Sequence, residues 1–198
     1  MCRLIETIEL KDGNLSGIIY HNKRLNAARR ELFGIKESIA IEKEIVIPEE
    51  FKKGTFRCRL LYNKNIIRTD FFPIKERCFK GLKIVHDDTI DYHLKYADRS
   101  ALNKLLEQKG GNDEVIIIKN GMVTDCSIGN LIFFDGHDWI TSDTPLLKGT
   151  QRAYLLDKKL IRECMIKEED IFKYQKVGII NALLSISNMI VIPIENIY

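Results

Sequence analysis

No apolar run in the 198 residues reaches membrane-spanning length. The longest candidate, residues 177–194, is broken by Asn181, Ser185, Ser187, Asn188 and Pro193. A helix that crosses the hydrocarbon core needs about 20 consecutive apolar residues. There is no CxxC pair, and the spacing of cysteine and histidine matches no zinc pattern, so a zinc module is not expected and no metal site is assigned. The five cysteines (Cys2, Cys58, Cys78, Cys126 and Cys164) are odd in number, and the opening residues do not read as a secretory leader. Both features point to reduced thiols in a cytoplasmic protein. An excess of charge of one sign is also missing. The net charge is +3, and lysine and arginine are scattered rather than striped, which gives no case for nucleic acid. Lys52-Lys53 and Lys158-Lys159 read as solvated faces. Repeats, low-complexity stretches and linkers are absent. What remains is a globular chain long enough for one or two domains with a real core.

The first half alternates like sheet. Residues 4–10 read as a strand, Asp12-Gly13-Asn14 as a turn, and 15–20 as the returning strand. The period then becomes helical over 21–33, with Leu25, Ala28, Leu32 and Phe33 on one face and Gly34 as its cap. A short strand is expected at 44–47, and Pro48-Glu49-Glu50 opens a helical turn. Strands follow at 55–62 and 66–72. Residues 73–82 have no regular pattern, and a boundary near residue 80 separates domains 1–80 and 81–198. In the second half, strands are expected at 82–85, 115–119, 122–125, 131–134, 138–142, 179–184 and 189–194. Helices are expected at 99–108 and 151–163. Asn120-Gly121 is a strong hairpin signal. The class is α+β.

Three kinds of group recur in an order that suggests chemistry. Lys95 stands among Tyr92, Leu94, Tyr96 and Ala97, where partial desolvation favours a neutral, reactive amine. Alone it also reads as an ordinary lysine at a helix start. Asp125 follows a hairpin strand and could hold a proton on a ring nitrogen; it also reads as a turn residue, as does Asn130. Gly149-Thr150-Gln151 opens a helix whose N–H groups could hold an anion. Arg24, in the first turn of the 21–33 helix, could clamp a phosphate with two N–H groups, or be a solvated arginine.

Together these residues resemble the class IV (fold type IV) pyridoxal-phosphate enzymes, which include branched-chain and D-amino-acid aminotransferases and 4-amino-4-deoxychorismate lyases. Glu6-Thr7 with Asp12-Gly13 resembles the family's opening ET…DG hairpin, and His21-xx-Arg24-Leu25 its HxxRL motif, whose arginine contacts the cofactor phosphate. Lys95 falls where the Schiff-base lysine lies. Thr124-Asp125…Asn130-Leu131-Ile132-Phe133 resembles T-E-x4-N-L-F. Gly149-Thr150-Gln151-Arg152 resembles G-I-T-R, and Ile180-Asn181-Ala182-Leu183 the late strand and loop at the phosphate.

The resemblance implies a two-domain D-amino-acid aminotransferase-like fold. Its smaller domain is N-terminal, the larger one is strand-rich and barrel-like, and pyridoxal 5'-phosphate lies between them. It implies a homodimer and a small-molecule amino substrate. By resemblance, Lys95 is the catalytic lysine, and Arg24, Asp125, Asn130, Gly149, Thr150, Gln151, Asn181 and Ala182 hold the cofactor. Arg99, Cys126, Ser127 and Arg152 face the substrate.

Lys95-x3-Arg99 with Asp98 is similar to the K-x-x-N-R run of the lyases, and Thr124-Asp125-Cys126 to their T-E-C. The implied activity is therefore release of pyruvate and 4-aminobenzoate, a folate precursor. Transamination of D-amino or branched-chain acids, or cofactor binding with impaired catalysis, are the alternatives. The sequence departs from the family in two ways. The acid is Asp125 rather than glutamate, and the usual leading segment with Y-G-D-G/S before ET is not present.

Overall fold

The computed structural model describes residues 2–198. The chain divides into two compact units. The first comprises the chain up to Glu76 together with Leu94–Asp98, and the second comprises Arg77–His93 and Arg99–Tyr198.

The first unit is a four-stranded antiparallel sheet, β2-β1-β3-β4, built from β1 (Leu4–Lys11), β2 (Asn14–Leu15), β3 (Thr55–Tyr62) and β4 (Ile66–Pro73). Side chains alternate along a strand, so Leu4, Glu6, Ile8 and Leu10 share the face that packs on helix α1 (Ile18–Phe33). Leu25 and Ala28 of that helix, with Leu60 and Tyr62 of β3, complete the core. Helix α1 ends as its sequence predicts. Gly34 takes φ 67° and donates its N–H to Arg30 O at 3.0 Å.

The expected return strand over 15–20 is only β2. Gly17, at φ 62°, breaks the extended run, and Ile18, Ile19 and Tyr20 join the helix. The strand expected at 44–47 is also absent: Ile41–Glu44 forms the single turn α2, and Ile45 and Ile47 pack against the core without a strand partner. Leu94–Asp98 belongs to this unit through non-local backbone pairing. Ile5 N–H donates to Lys95 O at 2.9 Å, and Ala97 N–H to Arg3 O at 2.9 Å. Leu4 and Tyr96 form an antiparallel bridge.

The second unit holds two sheets. The strands β5 (Leu82–His86), β6 (Glu114–Lys119) and β7 (Met122–Val123) form one; β5 and β6 are parallel, as their crossover through α3 (Ser100–Leu106) requires. Asn120 and Gly121, at φ 52° and 73°, make the tight turn between β6 and β7. The other sheet runs β10-β9-β8-β11-β12, with β8 (Asn130–Phe134), β9 (Trp139–Ser142), β10 (Arg162–Cys164), β11 (Lys176–Ile180) and β12 (Ile190–Pro193). Its core gathers Leu131, Phe133, Val177, Ile179 and Ile192 with Ile116 and Ile118 of β6.

The helix expected over 151–163 stops early. Helix α4 spans Thr150–Asp157, Lys159 turns to φ 56°, and Leu160 N–H closes on Leu155 O. That reversal lets Arg162–Cys164 pair in parallel with β9. Likewise, the strand expected over 179–184 ends at Ile180. Asn181 and Leu184 then exchange backbone hydrogen bonds across a turn. Among the described residues, no helix is long and apolar enough to cross a membrane, and no group of His, Cys, Asp or Glu could hold a metal ion.

Candidate active site

The first unit gathers Glu6, His21, Arg24 and Lys95. Glu6 lies on the core face of β1 and is fully buried. Helix α1 places His21 one turn before Leu25, on its buried stripe, and Arg24 beside it. Arg24 grips Glu6 at two points: Nε donates to Oε1 at 2.8 Å and Nη2 to Oε2 at 2.5 Å. His21 Nδ1 meets Glu6 Oε2 at 2.6 Å. Burial pushes the Glu6 carboxyl up, but the Arg24 guanidinium and the His21 contact outweigh it and hold the pKa at about 2. An ionised carboxylate only accepts, so His21 Nδ1 is the donor. The ring itself is held neutral: burial lowers its pKa, Glu6 opposes, and the Arg24 and Lys95 charges add to the lowering. Lys95 is half-buried and close enough for its charge to be felt at His21.

This group predicts how stability responds to acid. His21, depressed when folded, takes up its proton in the unfolded chain first, so its contribution is lost as pH falls below 6.5. Glu6, depressed from 4.5 to about 2, contributes stability above pH 4.5 that is lost as pH falls toward 2. The Glu6 part is worth about 3 kcal/mol at neutral pH. Acid unfolding followed by circular dichroism is expected to show both stages, and Glu6→Gln to flatten the lower one. An unchanged curve below pH 4.5 in that variant would overturn the assignment.

The second unit gathers Asp125, Asn130, Gly149 and the start of α4. Asp125 is 5 % exposed and forms a bridge with Asn130. Asn130 Nδ2 donates to Asp125 Oδ1 at 2.7 Å and also to Leu147 O at 2.8 Å, and Leu147 N–H donates to Asp125 Oδ2 at 2.9 Å. Asn130 and Leu147 therefore fix both carboxylate oxygens, and the strand hairpin is joined to the loop that enters α4. Ala153 N–H is the first that α4 itself uses, bonding Gly149 O at 3.0 Å. The amides of Thr150, Gln151 and Arg152 lie in the first turn and form the positive end of the helix dipole. Asn181 reaches this loop system as well, donating Nδ2 to Ile128 O at 3.2 Å. Ala182 is half-buried in the adjoining turn.

Gly149 is required for space rather than for its dihedral angles. A Cβ there would lie 2.0 Å from Asn130 Oδ1, and Asn130 cannot retreat without releasing Asp125 and Leu147. Gly149→Ala is expected to cost about 1–3 kcal/mol, read as a lower melting temperature, and to disturb Asp125 with it. A melting curve identical to the parent would exclude this packing role.

The expected substrate-side residues are placed differently from one another. Arg99 is half-buried and donates Nη2 to Ser127 O at 2.8 Å. The Ser127 side chain is buried: its hydroxyl donates to Glu114 Oε2 at 2.7 Å, and Glu114 is buried with it. Cys126 is buried, and its thiol is pushed well up by burial and by the neighbouring Glu114 charge, so it is an inert thiol. The structure does not bring the Arg152 guanidinium to the Asp125 group. It donates to Ser142 O at 2.8 Å and pairs with Glu163, locking α4 to the edge strand β10. A cavity of about 300 Å³ in this unit is bordered by Tyr92, Lys119, Met122, Thr124, Thr144 and Leu146, and takes in neither Asp125 nor Asn130.

Sequence reasoning gave no role to Glu114 or Leu147 and none to the Glu6 carboxylate beyond its motif. The signal for Glu6 was available: its carboxylate falls in step with Leu4, Ile8 and Leu10. Leu147 acts through its backbone, which sequence does not mark.

Residues 92–195 match the model of the amino-transferase class IV family. The chain belongs to that family. It is an enzyme of that class, which comprises pyridoxal-phosphate-dependent lyases and aminotransferases. An uncharacterised protein of Haemophilus influenzae is 41 % identical over 186 residues, covering 92 % of this chain and 98 % of its own. A crystal structure from Haemophilus somnus, provisionally described as a 4-amino-4-deoxychorismate lyase, is 38 % identical with a TM-score of 0.86 and covers 94 % of this chain and 98 % of that one. A hypothetical aminotransferase of Mycobacterium tuberculosis in its PLP-bound form shares the fold at 14 % identity and a TM-score of 0.77, over 96 % of this chain and 80 % of that one. The architecture is the mixed α+β fold of the fold type IV enzymes.

Proposed function

We propose that this class IV enzyme binds pyridoxal 5'-phosphate and cleaves 4-amino-4-deoxychorismate to 4-aminobenzoate and pyruvate. The observation that carries the lyase reading is the 38 % identity, over nearly both full lengths, to the Haemophilus somnus protein provisionally described as such a lyase. The residues present fit the cofactor. Asn130 and Leu147 donate to both oxygens of the buried Asp125 and fix its carboxylate, the group that suits a protonated pyridine nitrogen. Gly149 leaves no side chain at the entrance to α4, where the amides of Thr150 and Gln151 suit a phosphate. Asn181 and Ala182 form the turn that supports this loop system.

When bound, the cofactor supplies an electron sink for the charge that develops at the substrate carbon bearing the amine. Lys95 is the amine that carries the cofactor, and its Nζ takes the proton from that carbon as general base. Asp125 holds the proton on the ring nitrogen. Arg24, fixed on Glu6 through Nε and Nη2, is the guanidinium proposed to meet the phosphate. Arg99, tied to the Cys126–Gly129 loop at Ser127, is the residue proposed to meet a substrate carboxylate. Loss of the proton from the amine-bearing carbon, with cleavage of the ring C–O bond and departure of enolpyruvate, which takes up a proton to become pyruvate, aromatises the ring and makes the lyase step strongly downhill. Two copies of the chain forming a dimer belong to the same proposal, and sedimentation reads it.

The test is to supply purified protein and cofactor with aminodeoxychorismate and, in parallel, with D-alanine or leucine plus 2-oxoglutarate. Formation of 4-aminobenzoate and pyruvate is the expected result. Amino transfer without either product would turn the reading to an aminotransferase.

A further inference from the structure

Glu114 opens β6 and is 1 % exposed, yet no cationic side chain pairs with it among the described residues. A lone buried carboxylate opposes stability unless hydrogen bonds compensate it. Here all its contacts are neutral donors: Oε1 accepts Val115 N–H at 3.0 Å and Ser127 N–H at 3.2 Å, and Oε2 accepts the Ser127 hydroxyl at 2.7 Å. Arg99 Nη2 takes the carbonyl of the same serine at 2.8 Å. Every polar group of Ser127 is thus held by a charged side chain.

Ser127 sits in the loop that joins Asp125 to Asn130. That loop is closed by Cys126, whose N–H and Sγ both donate to Gly129 O at 3.0 and 3.3 Å. It is pressed against β11, where a Cβ on Gly129 would lie 2.3 Å from Ile180 O. The loop therefore has little slack, and Glu114 anchors it to β6 through a side chain.

We infer that Glu114 is a positioning residue, which clamps Ser127 so that the loop holds Asp125 and Asn130 in register. Ser127 is the clamp's target rather than a substrate contact. The inference deepens the proposed reading, since it matters for chemistry only if Asp125 serves the cofactor.

Hydrogen exchange in the cofactor-free protein tests the clamp without any chemistry. Glu114→Ala is expected to speed exchange of the amides of residues 126–130 by roughly tenfold or more, because hydrogen bonds to a charged group are lost. Glu114→Gln is expected to stay near the parent rate. Its Oε1 can accept both N–H groups, and its amide can donate to the Ser127 hydroxyl, which turns to accept. Ser127→Ala, which removes only the hydroxyl, is expected to fall between them and serves if Glu114→Ala does not fold.

The link to chemistry is read by cofactor titration and turnover. Ser127→Ala and Glu114→Ala are each expected to weaken pyridoxal phosphate binding and lower turnover, and neither to lower turnover further once Asp125 is asparagine. Parent-like exchange at 126–130 in both variants would overturn the clamp. Turnover losses that simply multiply with that of Asp125→Asn would overturn its action through Asp125. Absence of cofactor binding by the parent protein itself would instead refute the proposed function, while the exchange result would still decide the clamp.

Discussion

Lys95→Ala is expected to leave a folded protein with turnover lower by about 10²–10⁴, the range a positioned proton-transfer group contributes. The fold should survive because the segment is tied in by its backbone. Lys95 O accepts from Ile5 N–H, Ala97 N–H donates to Arg3 O, and neither bond involves the lysine side chain. Near-parent circular dichroism and melting temperature would establish that point. Two further measurements separate a catalytic lysine from a surface one. Borohydride reduction followed by peptide mapping should place a cofactor adduct on Lys95 in the parent and none in the variant. The His21 pKa, which the Lys95 charge helps to lower, should rise when that charge is removed, and an NMR titration reads it without cofactor. An adduct on another lysine, or turnover close to the parent, would sink the assignment.

The parts of the fold that were legible in the sequence are those encoded locally. The strands β1, β3, β4 and β6 carry period-2 or continuous apolar patterns, and turns such as Asp12-Gly13 and Asn120-Gly121 adopt the positive φ that their residues favour. Other misreadings have local causes, such as Gly17 at φ 62° and the Asn181–Leu184 turn, but several involve elements whose state is decided at a distance. Arg162–Cys164 has helical-looking neighbours, but β9 offers it a parallel edge. Ile45–Ile47 has β-branched residues and no strand to pair with. Leu94–Asp98 lies far along the chain from Arg3–Ile5, whose backbone binds it. No local pattern reports any of these partners.

The candidate site divides in the same way. Lys95, Asp125 and the Gly149-Thr150 helix start could be picked out because their residue types and order suit one chemistry. Their supports could not. Arg24 is legible as a cation, but that it leans on a fully buried Glu6 is a property of the packing of β1 against α1. Gly149 reads as a glycine that admits an anion; the 2.0 Å approach of Asn130 to its missing Cβ is a second reason for it that only three dimensions reveal. Arg152 follows Gly149-Thr150-Gln151 in the motif, yet the helical period turns its side chain toward Glu163 and Ser142.

Asp125→Asn is expected to reduce turnover by roughly 10²–10³, corresponding to about 2.7–4 kcal/mol of lost electrostatic stabilisation. An amide cannot hold the ring nitrogen in its protonated form, so the electron sink weakens. The structure adds a second consequence. Both oxygens of Asp125 accept from donors, Asn130 Nδ2 on one side and Leu147 N–H on the other. An asparagine there must turn its own NH₂ toward one of them, whichever way it is flipped, and loses that bond at a cost of about 1–3 kcal/mol. A lower melting temperature should therefore accompany the loss of turnover. Asp125→Glu separates the two effects. It keeps the charge but adds a methylene where Asn130 and Leu147 already close on the carboxylate, so it should strain the loop while retaining far more activity than the asparagine variant. Turnover at saturating cofactor, measured beside thermal melts, gives the comparison. If the asparagine variant melts lower but turns over like the parent, Asp125 is a residue of the hairpin and loop alone. If the glutamate variant is as slow as the asparagine one, it is the position of the acid rather than its charge that limits the reaction.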